Sequence, residues 1–320
     1  MDEQGRNQDL IRLKYNTGFH DRVLTILGGN WTRLGGVKLA LSRQALSLYY
    51  HDKQLGRKSN LLTFYKDLKE AGGVKDKQTR EISEMMMALK ATEDKLSGDL
   101  SNRLRDYMDP RDVDSIKVTF YPKGQDGGFV LRPGSIYINT SKLLRDPEAY
   151  FDLLVHEVYH ARKRKISSYV GYLVHKGLGS KGIYYQCFGQ IFEEGVASLI
   201  ELGESYKPRP SSSVTPQELE KVEAYFKLLN EQLRSRVLYD NHIKDLLEVL
   251  GINYYNLCYV VGYYMVRLVY QHMGKQGIDP WTSKHDYKSV LKNYLYACQA
   301  FERPSYIDKD LVDDLLSSYQ

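Results

Sequence analysis

Asp146 to His160 reads DPEAYFDLLVHEVYH, which predicts a helix with a defined start and a chemically distinctive end. Asp146 can cap the first turn, Pro147 suits a position whose N–H has no helical partner, and Glu148 complements the positive end of the helix dipole. Phe151, Leu154, Val155 and Val158 recur at helical spacing and form a stripe for burial. His156, Glu157 and His160 fall on the adjoining face. Residues four apart on a helix differ by only about 40° in direction, so both imidazoles can address one ion. Glu157 projects to the same side, within reach of a water on that ion. The competing reading of this His-Glu-x-x-His spacing is a buried histidine pair satisfied by hydrogen bonds. The helix is expected to run to about Lys165, where the run Arg162-Lys163-Arg164-Lys165 complements its C-terminal end.

Upstream, Ser115 to Tyr121 (SIKVTFY) alternates as a strand does. A Gly-rich turn at Gly124 to Gly128, the apolar Phe129-Val130-Leu131, the turn Pro133-Gly134 and the strand Ser135 to Asn139 follow, and together predict a small antiparallel sheet. Ile136 to Ile138 is a candidate for pairing with an extended substrate through its backbone. Before the sheet, apolar patches at 39–49, 61–68 and 82–96 pattern as helices. After it, helices are expected at about 184–203, from Thr215-Pro216 onward, and at about 253–273, 286–300 and 307–318, with a linker from Ser205 to Pro216. The expected fold class is α+β and mostly α-helical. The expected division is an N-terminal helical region, 1–112, and a second region, 113–320, that carries the sheet and the histidine helix.

A catalytic metal needs a third protein ligand and an open position. The segment Ile191-Phe192-Glu193-Glu194-Gly195-Val196-Ala197 lies on a helix whose Phe188, Ile191, Phe192, Val196 and Leu199 call for burial. Carboxylates on so apolar a helix need a partner or a metal. Glu194 is the candidate third ligand; the competing reading makes the Glu193-Glu194 pair a solvated face. On the first reading, replacing Glu194 weakens metal binding and replacing Glu193 does not. Asp152, one turn before His156, and Ser198, one turn after Glu194, are candidates for orienting the ligands. His175, His242 and His272 cannot be placed by pattern alone.

His-Glu-x-x-His followed by a helix carrying Glu-Gly-x-Ala resembles the gluzincin zinc metallopeptidases, and the layout resembles a family of uncharacterised zinc-dependent peptidases. The resemblance covers about residues 113 to 275. It implies a zincin-like catalytic domain at 113–320 and a Zn2+ ion held by His156, His160 and Glu194, with Glu157 as general base. It also implies a Tyr three residues before a Gly whose hydroxyl stabilises the oxyanion. Tyr259 in Tyr259-Val260-Val261-Gly262 fits, with Tyr263 and Tyr264 competing in the same helix. The metzincin extension requires Gly and His where this chain has Lys163 and Ile166. The Gly-x-Met-Glu-Asn segment of gluzincin aminopeptidases has no counterpart in Gly127 to Leu131, so aminopeptidase specificity is not implied. The third-ligand motif also differs from that of thermolysin-like enzymes.

Composition sets the outer bounds. At 320 residues, 42% hydrophobic and 27% charged, the chain can bury a substantial core, which excludes a mainly disordered, collagen-like or disulfide-scaffold protein. A net charge of +5 from dispersed basic residues does not call for nucleic acid. The 27 Tyr against 9 Phe point to a tyrosine-rich core. Cys187, Cys258 and Cys298 form no CxxC and read as small buried hydrophobes. The polar N-terminus has no signal-like apolar run, and the apolar stretch 254–270 reads as a core helix, so a cytoplasmic protein without a membrane span is expected. The leading expectation is a zinc-dependent peptidase acting on peptide or protein substrates. The alternatives are an inactive zinc-binding helical scaffold and a helical protein whose His-Glu-x-x-His is accidental.

Overall fold

The computed structural model describes residues 11–16, 76–113, 115–121, 127–143, 147–162, 180–209, 212–235 and 254–317. The helices expected at 39–49 and 61–68 lie outside these, as do residues 124–126 of the turn expected at Gly124 to Gly128, Asp146, Lys163 to Lys165, His175 and His242. The chain is mostly α-helical, with one four-stranded sheet among the described residues. It divides into two compact units, 1–101 with 113–153, and 102–112 with 154–320. The first unit thus draws on both sides of the boundary expected at 112/113.

The first unit contains β1 (Arg12–Asn16), helix α1 (Asp76–Ala91), most of α2 (Glu93–Arg105), and the strands β2 (Ser115–Tyr121), β3 (Gly128–Arg132) and β4 (Ser135–Asn139). The sheet order is β1-β2-β4-β3. Only the β3–β4 hairpin is antiparallel; β1 and β4 both run parallel to β2. The antiparallel expectation is corrected here. Strands joined by short turns suggest antiparallel neighbours throughout, but β3 folds onto the far side of β4 and leaves β2 beside it in parallel. Pro133-Gly134 makes the hairpin turn, with Gly134 at φ +72°, where a side chain would be strained. Phe129 and Tyr137 stack across the hairpin at 4.9 Å. Ile116, Val118, Phe120, Ile136 and Ile138 form the buried apolar set. Because β4 is paired on both sides, Ile136 to Ile138 has no free edge for a substrate, which overturns that expectation.

The division falls inside α4 (Tyr150–His160), which follows α3 (Thr140–Leu143). In the second unit α5 (Ser180–Leu202) is followed by α6 (Pro216–Leu219), α7 (Val222–Ser235), α8 (Tyr254–Met273), α9 (Lys275–Lys284), α10 (Tyr287–Ala300) and α11 (Lys309–Ser317). Thr215 caps α6 with a reciprocal Glu218 capping box and Pro216 in the first turn, as the dipeptide predicts. Asp286 caps α10 by accepting from the Ser289 N–H. Tyrosines fill much of this core, and several place the hydroxyl on a partner: Tyr184 donates to Asp314, Tyr263 to the Gly203 carbonyl and Tyr294 to the Ser305 carbonyl. All three cysteines are free and buried, and burial pushes the Cys187 thiol up to about 12. Among the described residues no helix is long and apolar enough to cross a membrane.

α5 and α8 cross at two glycines. A Cβ added at Gly262 would lie 2.1 Å from the Ile191 carbonyl oxygen and 2.8 Å from the Gly195 Cα. One added at Gly195 would lie 2.5 Å from the Gly262 backbone. The glycines after Glu194 and after Tyr259-Val260-Val261 are therefore the contact that lets two bulky helices meet backbone to backbone. Gly262→Ala is expected to destabilise the protein by about 3 kcal/mol, because backbone, not a flexible side-chain end, stands in the way. A lowered midpoint in urea unfolding would check this; an unchanged midpoint would mean that the helices separate freely.

Candidate metal centre

α4 presents His156 and Glu157 buried, each 5% exposed, and His160 one turn later. α5 presents Glu194 to them. The His156 and His160 Nε2 atoms are 3.2 Å apart. Glu194 Oε2 lies 3.2 Å from the His160 Nε2 and 3.6 Å from the His156 Nε2. These three residues form a group able to hold a metal ion, each offering one ligand atom. Donors about 2.0–2.1 Å from one tetrahedral ion lie about 3.3 Å from one another, so the observed spacings suit zinc.

The outer atoms fix the chemistry of the inner ones. His156 Nδ1 lies 2.9 Å from Glu201 Oε2, and His160 Nδ1 lies 3.3 Å from Glu193 Oε1. A carboxylate only accepts, so each Nδ1 carries the hydrogen and each Nε2 turns a lone pair inward. Three acceptors then face one point, and among the described residues the buried Glu194 Oε2 has no hydrogen-bond partner. Such a point requires a cation or captured protons.

Protons are the alternative occupant. Burial opposes charge on His156 and His160, but the surrounding carboxylates outweigh it, raising His156 well above its ordinary value and His160 to about 9. Burial likewise opposes the Glu194 carboxylate, yet the two imidazoles hold it down at about 2. In the metal-free protein the raised His160 contributes stability that is complete below about 6.5 and is lost as pH rises through about 9. The depressed Glu194 contributes stability that is present above about 4.5 and is lost as pH falls through about 2. The metal-free centre should therefore be most stabilising between about pH 4.5 and 6.5, and metal should bind more tightly as pH rises toward 9. Melting temperatures of chelator-treated protein across that range, and proton release on metal addition, check both statements; a stability that climbs steadily from pH 6 to 9 would contradict them.

Glu193 is not on a solvated face. It is 8% exposed, and Arg162 forks onto it with contacts of 2.7 and 2.8 Å. The Trp281 indole N–H donates to its other side at 3.1 Å. Arg162 also donates to the Tyr159 carbonyl at 2.8 Å, so it does complement the end of α4, but from a buried position. Glu201 receives the Ser213 N–H at 2.9 Å. The partners of the two Nδ1 atoms are thus Glu201 and Glu193; the Ser198 hydroxyl, a candidate for that role in sequence, instead meets that of Ser213. Glu201 lies seven residues after Glu194, two turns along the same helix face, and that spacing was the available signal. Of the three tyrosines, the Tyr259 ring is 6.0 Å from that of His156. Tyr263 spends its hydroxyl on Gly203, and Tyr264 packs against Phe226 and Tyr306. His272 is exposed and edges onto Phe301.

The family model described as "Putative zinc dependent peptidase (DUF5700)" matches residues 38–300. The chain belongs to that family. The match spans His156, Glu157, His160, Glu194 and Tyr259, and with them both glycines of the α5–α8 crossing. No curated protein and no solved structure matches the chain. Within the DUF5700 family, then, the convergent His156, His160 and Glu194 of this member are compatible with the zinc dependence in the family's description.

Proposed function

We propose that the chain is a zinc-dependent peptidase of gluzincin type that hydrolyses peptide bonds. The observation that carries this reading is the meeting of three electron-pair donors, from α4 and α5, around one point with a second buried carboxylate, Glu157, beside it. His156, His160 and Glu194 would hold Zn2+, leaving a fourth position for water or substrate. The ion, when bound, brings its water's pKa to about 7 and polarises the scissile carbonyl.

The remaining work falls to the chain's own side chains. Glu157 accepts the proton of the attacking water and delivers it to the departing amine. Tyr259 donates its hydroxyl to the oxyanion of the tetrahedral carbon, a contact of a kind worth about 3 kcal/mol. Glu201 and Glu193 keep both imidazoles in the tautomer that points Nε2 inward. Solvent reaches the centre from the His160 and Glu194 side, whose side chains are 15% and 23% exposed against 6% for His156.

Metal analysis of the purified protein tests the first half: about one zinc per chain, lost in His156→Ala, is expected. Cleavage of casein or a peptide library tests the second. Zinc without any cleavage would leave an inactive zinc-binding scaffold, and no zinc at all would make the His-Glu-x-x-His accidental. Tyr259→Phe is expected to lower kcat by about 10²-fold with little change in zinc content; an unchanged kcat would remove Tyr259 from the reaction.

A further inference from the structure

We propose that Arg162, Glu193 and Trp281 form one positioning unit for His160, and that Arg162 decides which of the adjacent glutamates, Glu193 or Glu194, is left to bind the metal. The inference rests on the zinc reading above and adds three residues that the motif does not include. Glu193 and Glu194 are chemically identical neighbours on α5, and both come within hydrogen-bond or ion-pair distance of His160, at 3.3 and 3.2 Å. What separates them is what else they touch.

Both Glu193 oxygens are occupied from outside the centre. Oε1 takes Arg162 Nη1 at 2.7 Å and Oε2 takes Nη2 at 2.8 Å, a parallel fork that only a guanidinium supplies. Trp281 adds its N–H to Oε2 at 3.1 Å. Arg162 is itself held, 2% exposed, with its guanidinium carbon 3.8 Å above the Tyr159 ring and one N–H on the Tyr159 carbonyl. Glu193 therefore meets His160 as a neutralised, fixed acceptor on Nδ1. Among the described residues Glu194 meets no such cation, and its buried Oε2 has no hydrogen-bond partner there and faces both Nε2 atoms. The same fork that orients His160 withdraws Glu193 from the ligand set. Glu201, on His156, differs again: its other oxygen accepts from the Ser213 backbone N–H.

The test uses the full chain and zinc alone, with affinity read by chelator competition and geometry read from the visible absorption of the cobalt-substituted protein. Glu193→Gln and Arg162→Met are each expected to weaken zinc binding by about 10–100-fold and to shift the cobalt bands. Arg162→Lys, which keeps the charge but loses the fork, should fall between wild type and Arg162→Met. In the double variant Arg162→Met with Glu193→Gln, the loss should be smaller than the two single losses combined, because the carboxylate that Arg162→Met alone leaves without its cation, Glu193, is then neutral. Trp281→Phe should weaken zinc by a smaller factor in the same direction. If Arg162→Met does not fold, Arg162→Lys and Trp281→Phe carry the same comparison. The proposal is overturned if wild type binds zinc tightly and every variant matches it within about twofold while only melting temperature falls. Failure of wild type to bind zinc overturns the peptidase reading itself, and this one with it.

Discussion

Replacing Glu157 with Gln should leave about one zinc per chain in place and lower peptide cleavage by about 10²–10⁴-fold. Glutamine keeps the size and the hydrogen-bonding outline of the side chain, so α4 and the ligands before and after it should not move. It lacks the basic oxygen that takes a proton from water, and at 5% exposure no bulk base can readily replace it. Zinc content by atomic absorption and cleavage rate on one peptide, measured on the same preparation, are sufficient. Undiminished cleavage would place the base elsewhere. Loss of zinc together with activity would make Glu157 part of the binding group instead.

Replacing Glu194 with Ala should abolish both zinc retention and cleavage. Losing an outer partner of a ligand costs about 10–100-fold in affinity, and removing the ligand atom itself should exceed that. The variant also removes the carboxylate that lies against both Nε2 atoms, so a cause that raises His160 to about 9 is lost, and its proton competes less. That relief works against the loss but cannot restore a ligand atom. Equilibrium dialysis with zinc, compared with Glu193→Gln in the same assay, separates the two glutamates: a larger loss for Glu193 would exchange their roles.

The tertiary structure changed the standing of Glu193 most. In sequence it is one of two adjacent carboxylates on an apolar helix, and choosing Glu194 as ligand left Glu193 with no task. Its task depends on Arg162 and Trp281, residues from two other segments whose approach no local pattern encodes. Arg162 itself reads as one more member of a basic run at a helix end, yet it is buried. The sheet shows the same limit. Strand content at 115–121, 128–132 and 135–139 follows from alternation and turn residues, but pairing partners do not. β1 joins β2 from about a hundred residues upstream, and β3 reaches the outer side of β4.

The sequence by itself determined the periodic and local features: the helices of the second half, the Thr215 cap, the Pro133-Gly134 turn and the two histidines on one face of α4. Each depends on residues within about a turn or two of one another, where backbone geometry leaves little choice. Tertiary structure alone decided that Glu194 reaches both imidazoles, that Tyr259 rather than Tyr263 stands beside His156, and that Gly195 meets Gly262. Those outcomes depend on how α4, α5 and α8 pack, and packing is settled by the sum of many side-chain volumes across the core rather than by any one stretch of the chain.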